Sequence, residues 1–480
     1  MTSPPEVPAP EAIAGHYHQS LQRRRRGVRL IWAIVIGFGL LVLGTPFILY
    51  MAWNARGRSL LRAQLAEIKA AGQPITTTEM AAYHQVPNGT PDITDIWVAA
   101  IAPFDTPQFS TSSKHLPIVG TGAEPPPLDQ PLAAADEQAI RDWLMLHQQA
   151  FTGVYAAART PGEVRFTRDF RKGIATLLPE VQQMRGVVRA LALEFEVLAR
   201  QGDLTPAFEN LEASFIAGET IRHEPFLVSM LVRIAIHGVV MNNVRKLAET
   251  NRLSDAELAR LQDLVRKIDI HGQMDDALLG ERATCYHTFH TIGLIPNFNV
   301  WQDFEHETSH DIRKVSRPQD CAMSLKFLTQ IHDSAQQPIP EFLDAGEKFE
   351  ADLQQLIADD SPVNRLCYTI TALLLPAVSA AGAADARGEA WRELTDAALA
   401  ARRYRLQHGK LPQTLVDLTP DFLPRVPIDP FDGQPLRLLV QDDKLVIYSI
   451  GKDRRDDGGI FDPVKQEPDI GVEIKLPAAQ

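Results

Sequence analysis

Cysteine is scarce in this chain of 480 residues: there are three, Cys285, Cys321 and Cys367, widely spaced and in no CxxC pair. That excludes a disulfide framework and a thiolate metal site. At most one disulfide can form, and small buried side chains are the ordinary use of such residues. Net positive charge is lacking too. Lys and Arg number 48 against 60 Asp and Glu, a formal charge of −12. A nucleic-acid partner is not expected, because phosphate recognition needs clustered cations. No P-loop, GxGxxG or G-x-S-x-G pattern occurs, so nucleotide cradles and nucleophile elbows have no support. Acidic residues are absent from 27 to 53.

That last absence coincides with the longest apolar run. Leu30 to Trp53 carries no charge over 24 positions, enough to cross ~30 Å of hydrocarbon as a helix. Trp32 at one end and Tyr50 and Trp53 at the other suit the two interfaces. A cleaved signal peptide has a shorter core followed by a small-x-small site; here the core is long and runs into TyrMetAlaTrpAsnAlaArg, so an uncleaved anchor is expected. Arg23, Arg24, Arg25, Arg26 and Arg29 flank one side against Arg56, Arg58 and Arg62 on the other. The bias predicts a bacterial inner-membrane protein with its N-terminus in the cytoplasm and its bulk outside. Residues 1–29, rich in Pro and Ala, read as a disordered tail.

After the 30–53 span, residues 54–132 read as short helices and a Pro-rich linker, the linker proper from Phe104 to Leu132. A Thr cap in the run Thr76 to Thr78, with Glu79 in the first turn, marks one helix start. Residues 133–360 read as a helical domain. An amphipathic helix from Leu178 stops before Gly202, a second begins near Thr205, and a third runs from Phe226 to Thr250. A fourth opens at Ser254 with Glu257 three residues on, a capping box. Short turns between such helices predict antiparallel pairs. Residues 361–480 read as a long helix, buried rather than membrane-spanning despite the apolar run Cys367–Ala383, followed by a small α+β module.

That module carries the densest pattern. After His408-Gly409 come a helix, a Pro-punctuated loop, a hairpin and an acidic Gly loop, with turns at Asp432-Gly433 and Asp442-Asp443. The order of Gly409, Pro412, Leu415, Leu418, Leu423, Pro424, Pro427, Asp429, Pro430, Gly433, Pro435, Tyr448, Ser449, Gly451, Asp453, Gly458 and Gly459 resembles the C-terminal part of the major pseudopilins of type II secretion, over roughly the last 80 residues. The resemblance implies a calcium ion held by carboxylates and carbonyls of the acidic loop. Asp453 matches directly, and Asp456, Asp457, Asp462 and Asp469 are further candidates. It breaks down at the other end of the chain. The pseudopilin leader and the acid at the fifth helix position are missing, so assembly as a pilus subunit is not expected.

His306-Glu307-Thr308-Ser309-His310 spells HExxH. On a helix this spacing offers His306 and His310 to zinc and Glu307 as general base, with Glu341, Glu347 or Glu350 as a third ligand. Glu305 and Asp311 flank the motif, and Pro296 and Pro318 bound it, so an exposed polar helix is the plainer reading. His287, His290 and His223 read as structural histidines. The expectation is a mainly α protein: N-terminal transmembrane helix, helical-pair domain, small C-terminal α+β module. Its expected role is non-enzymatic, with protein partners in the envelope; a membrane-anchored zinc peptidase is the alternative.

Overall fold

A computed structural model describes residues 10–291, 308–358, 368–441, 444–462 and 465–475. The protein is mainly helical, with one small antiparallel sheet near its C-terminus. The first helix, α1 (Pro10–Ala70), is 61 residues long. It includes residues 10–29, where composition predicted disorder. A helix nucleated in the apolar segment extends into neighbouring residues at little cost. Between Trp32 and Met51 its large apolar side chains stand outside the fold: Trp32, Phe38, Leu41, Ile48 and Leu49 are 61 to 67% exposed. Together with the exposed Val35, Phe47 and Met51, at about 100° per residue, these positions circle the whole helix. Beyond Trp53 the same helix enters the body. Leu61, Leu65 and Ile68 join a core with Leu325, Leu328 and Ile331 of α12 (Thr308–Ser334). Gln319 of α12 donates to the Trp53 carbonyl, and Pro318 lies inside this helix rather than bounding a loop.

The body begins with α2 (Thr77–Tyr83), where the expected Thr cap is Thr76 and forms a full capping box: Glu79 N–H donates to Thr76 Oγ1 at 3.2 Å and the Glu79 carboxylate accepts from Thr76 N–H at 2.9 Å. Helices α3 (Thr94–Ile101), α4 (Pro107–Ser113), α5 (Ala134–Leu146) and α6 (Gln148–Ala158) follow and surround α7 (Pro179–Leu198). The span 104–132, expected as a linker, is part of this core. Phe104, Phe109, Leu116 and Leu132 are buried in it beside Trp97, Trp143 and Phe151. Its Pro and Gly residues shape turns, while its sparse apolar residues do the anchoring.

Helices α8 (Thr205–Glu219), α9 (Leu227–Glu249) and α10 (Asp255–Arg266) start near the expected points, α9 also stops near its expected end, and α11 (Met274–Thr291) follows them. Ser254 and Glu257 form the second capping box. Helix α9 is central, touching α7, α8, α11 and the long helix α14 (Thr369–His408). Among the helices described throughout, α9 is long and apolar enough to cross a membrane, yet 61% of its most apolar window is buried in the protein. It also buries Arg233 and His237, both held by Glu219 of α8, at 2.7 and 2.8 Å. Helix α13 (Ile339–Ala358) packs between α12 and α14.

The second half of α14 carries the C-terminal module. Ala390, Leu394, Ala397 and Ala401 form one stripe, and small side chains let the sheet approach closely. The sheet orders β1 (Arg437–Gln441), β2 (Lys444–Ser449) and β3 (Ile470–Lys475), all antiparallel. Leu445, Ile447, Val472 and Ile474 face α14 and its core. Helix α14 ends at Gly409, whose φ of 71° is the left-handed cap that glycine takes without strain.

One ion pair joins three parts of the body. His271, in the turn before α11, meets Asp385 of α14 at 2.5 Å and the Ala335 carbonyl, after α12, at 2.8 Å. Burial opposes its charge, but the Asp385 bond and charge and the Ala335 carbonyl outweigh that and hold it up at about 9. A histidine raised above its unfolded value stabilises fully below that value and loses the contribution as pH rises through the folded one. The melting temperature is therefore expected to fall between pH 7 and pH ~9.5 in the native chain. In His271→Gln this fall should be markedly smaller; identical pH profiles would remove the ion pair from the account.

Candidate functional site

The acidic Gly loop runs from Gly451 to Asp469 and is set by three glycines with positive φ, at Gly451, Gly458 and Gly459. A side chain at Gly451 would meet the Pro468 carbonyl at 2.7 Å, and one at Gly459 the Tyr448 ring at 3.1 Å. Asp456 accepts from Tyr448 Oη at 3.0 Å and from Gly458 N–H at 2.9 Å. Asp469, fully buried, accepts from Gly459 N–H at 2.8 Å, and its other oxygen has no hydrogen-bond partner. Burial pushes the Asp469 carboxyl up. The Gly459 and Asp457 amides oppose that shift, and the charges of Asp457 and Asp456 add to it. The loop thus places Asp456 and Asp457 near enough for their charges to act on Asp469. Asp453 instead caps its own turn through Arg455 N–H at 3.1 Å, and Asp462 accepts from Lys465 N–H at 2.7 Å. Among the described residues no three His, Cys, Asp or Glu side chains converge as a metal-holding group.

The Pro-punctuated motif has a structural centre in Asp429. Its carboxylate is buried and accepts from Phe431 N–H, Ser449 Oγ, Ile450 N–H and Arg437 Nη1 at 2.7 to 3.0 Å. One carboxylate therefore locks the loop to β1 and to the end of β2, which explains why Asp429 and Ser449 occur in one pattern.

His306 and Glu307 of HETSH lie outside the described residues; His310 falls in the first turn of α12. Of the third-ligand candidates, Glu341 is exposed on α13. Glu347 lies 3.9 Å from Arg454, and Glu350 accepts from Gln354 at 3.3 Å. Glu347 and Glu350 line a cleft that sequence reasoning did not find. It holds about 270 Å³ between α13, α14 and the C-terminal module. Its floor is Ile331, Phe342, Val378 and Phe431, and its rim carries Lys452 and Arg454. No sequence signal marks it; in the structure Arg454 stands out as a non-glycine residue at φ 57°, which a bulky side chain adopts only when held.

The remaining titratable groups form interior ion pairs or, for several histidines nearer the surface, single bonds to a carboxylate or carbonyl. Arg168 donates to Glu224 at 2.8 Å and Glu180 at 2.5 Å, with Arg168 and Glu224 side chains both 1% exposed. His84 sits against this pair and bonds the Phe166 carbonyl at 3.1 Å; burial holds it down at about 4, so it is neutral at pH 7. His223 pairs with Asp276 at 3.0 Å, His287 with the Arg171 carbonyl at 2.7 Å and His290 with the Tyr286 carbonyl at 2.8 Å. Cys285 and Cys321 are buried and free, their thiols raised by burial, Cys321 to about 12; Cys367 lies outside the described residues.

No protein-family model, curated protein or solved structure matches the chain. The site is therefore read from its own residues.

Two outcomes follow. Arg168→Ala leaves Glu224 buried without its cation and is expected to cost about 3 to 5 kcal/mol in chemical denaturation. Asp469→Asn removes a buried charge that has one orphan oxygen, so in EDTA it should melt above the parent. If millimolar calcium raises the parent melting temperature and not that of Asp469→Asn, the loop holds the cation its pseudopilin-like pattern implies.

Proposed function

We propose that this protein is a single-pass, membrane-anchored component of the bacterial envelope. In this reading its helical body and pseudopilin-like C-terminal module lie outside the cytoplasm and engage other envelope proteins without catalysing a reaction. The observation that carries the reading is the two-part character of α1. Up to Met51 it exposes large apolar side chains on every side; from Leu61 onward it is built into the core. A helix apolar all round needs a non-aqueous neighbour, and a span of this length fits a bilayer. The arginine excess before the span gives the orientation. Use of the body as an interaction scaffold is supported by its titratable groups, which are spent on internal pairs such as Arg168 with Glu224 and Glu219 with Arg233. The link to secretion or envelope assembly rests on the C-terminal motif order alone.

The test is alkaline carbonate extraction of membranes, combined with protease treatment of spheroplasts. The full chain should stay in the membrane pellet and its body should be digested from outside. Fragment 54–480 should be released. Release of the full chain by carbonate would sink the anchor. Stoichiometric zinc in the purified full chain, lost in His306→Ala, would replace the scaffold reading with the hydrolase.

A further inference from the structure

The cleft between α13, α14 and the C-terminal module has an apolar floor and an edge where Lys452 and Arg454 stand beside Glu347 and Glu350, with one buried Arg454 donor lacking a hydrogen bond. Ile331, Phe342, Val378 and Phe431 are buried beneath it. Arg454 binds Asp344 through Nη1, and its Nη2, buried and without a hydrogen bond, stands 3.9 Å from the Glu347 carboxylate, an ion pair too long to be a hydrogen bond. Such an orphan donor is rare and marks a missing acceptor. Lys452, on the same rim, makes no ion pair among the described residues. Glu347 and Glu350 on the α13 wall disfavour a dianion. Gly346 also lines the cleft, and a Cβ there would meet nothing within 4 Å, so the wall is open where a chain would lie.

We propose that this cleft binds an acyl chain with a singly charged anionic head, the head at Lys452 and Arg454 Nη2 and the chain along the floor. At ~30 Å³ per water-sized group, 270 Å³ takes about eight to ten carbons, a medium-length chain or the end of a longer one. Position supplies the source. Thr371 of α14 bonds Asp320 at 2.7 Å, next to Gln319, which holds the Trp53 carbonyl. Val378 lies seven residues further along α14, about 10 Å. The cleft therefore opens a short way above the end of the exposed apolar segment. That step rests on the anchor reading, and it makes a free fatty acid or an acidic phospholipid the available ligand.

The experiment uses the full chain in phospholipid vesicles, photolabelled with diazirine-bearing dodecanoate or diazirine-bearing phosphatidylglycerol and mapped by peptide mass spectrometry. Labels are expected at 342–350 and 378–383. Gly346→Leu projects into the cleft from a Cβ that meets nothing within 4 Å and should cut them on the order of tenfold. Lys452→Glu, on an exposed side chain, should cut them severalfold by charge alone. Dodecyltrimethylammonium bearing the same diazirine should label the cleft poorly. Labels confined to 30–53 would overturn the cleft while supporting the anchor, and cleft labels unchanged in both variants would overturn the cleft. Cleft labels without any at 30–53 would uphold the cleft and sink the anchor. Equal labelling by the cation would overturn the anionic head. Whichever of the two anionic probes labels the cleft identifies the source, and labelling by neither ends the proposal.

Discussion

The rest of the molecule depends on the close approach of α1 to α12 at Gly57. A side chain there would come within 2.3 Å of the Gln319 carboxamide, which is pinned in a buried position and bonded to the Trp53 carbonyl. Without a Cβ at Gly57, the two helices meet and Leu61, Leu65 and Ile68 reach the α12 core. Helix α12 then passes the constraint on. Asp320 and Ser324 hold Thr371 of α14 through hydroxyl and amide bonds at 2.7 to 3.1 Å. Helix α14 in turn carries the sheet. The exposed apolar segment and the C-terminal module thus share one path of packed helices.

Buried charge fixes how the parts sit along that path. Asp396 of α14 takes Arg266 at 2.8 Å and Gln262 at 2.5 Å from α10, and both of these also donate to the Phe422 carbonyl of the C-terminal loop. Apolar stripes of Ala and Leu would pack in several registers; a carboxylate with two fixed donors favours one. Desolvating such groups offsets much of their attraction, so their consequence here is the docking angle more than net stability. Asp429 does the same inside the module, where it settles the loop on the sheet.

Local chemistry was legible in the sequence wherever one segment decides the outcome. The capping boxes at Thr76 and Ser254 and the Gly409 stop depend on residues three or four positions apart, and the hairpin of β1 and β2 on a short alternating run. What was not legible depends on partners far away in the chain. Residues 104–132 looked like a linker because Phe104, Phe109, Leu116 and Leu132 are separated by turn formers; their burial comes from Trp143 and Phe151. Pro318 looked like a boundary, yet the α1 contact holds the helix around it. The cleft joins Ile331, Phe342, Val378 and Arg454 from four segments, and no window of sequence contains it. The acidic loop was legible as a loop, while the bonding of each aspartate was not. Asp453, the direct motif match, caps a turn, and the later Asp469 is the buried one.

Apolar composition alone does not distinguish α9 from the 30–53 segment, since both are long enough to span a bilayer. Charge and its partners do. Helix α9 carries Arg233 and His237, each bonded to Glu219, whose carboxyl their bonds and charges pull down to about 2 against burial. That arrangement needs α8 alongside, and it makes α9 the axis of a folded body. The 30–53 segment carries no charge to be paired, and Trp32, Phe38, Leu41, Ile48 and Leu49 are left outside. Exposing those side chains to water would forfeit about 1.5 to 3 kcal/mol each. The Glu219 carboxylate, set against Arg233 and the His237 imidazole whose burial disfavours its charge, ties α9 to a polar partner inside the body, whereas nothing in the 30–53 segment calls for one.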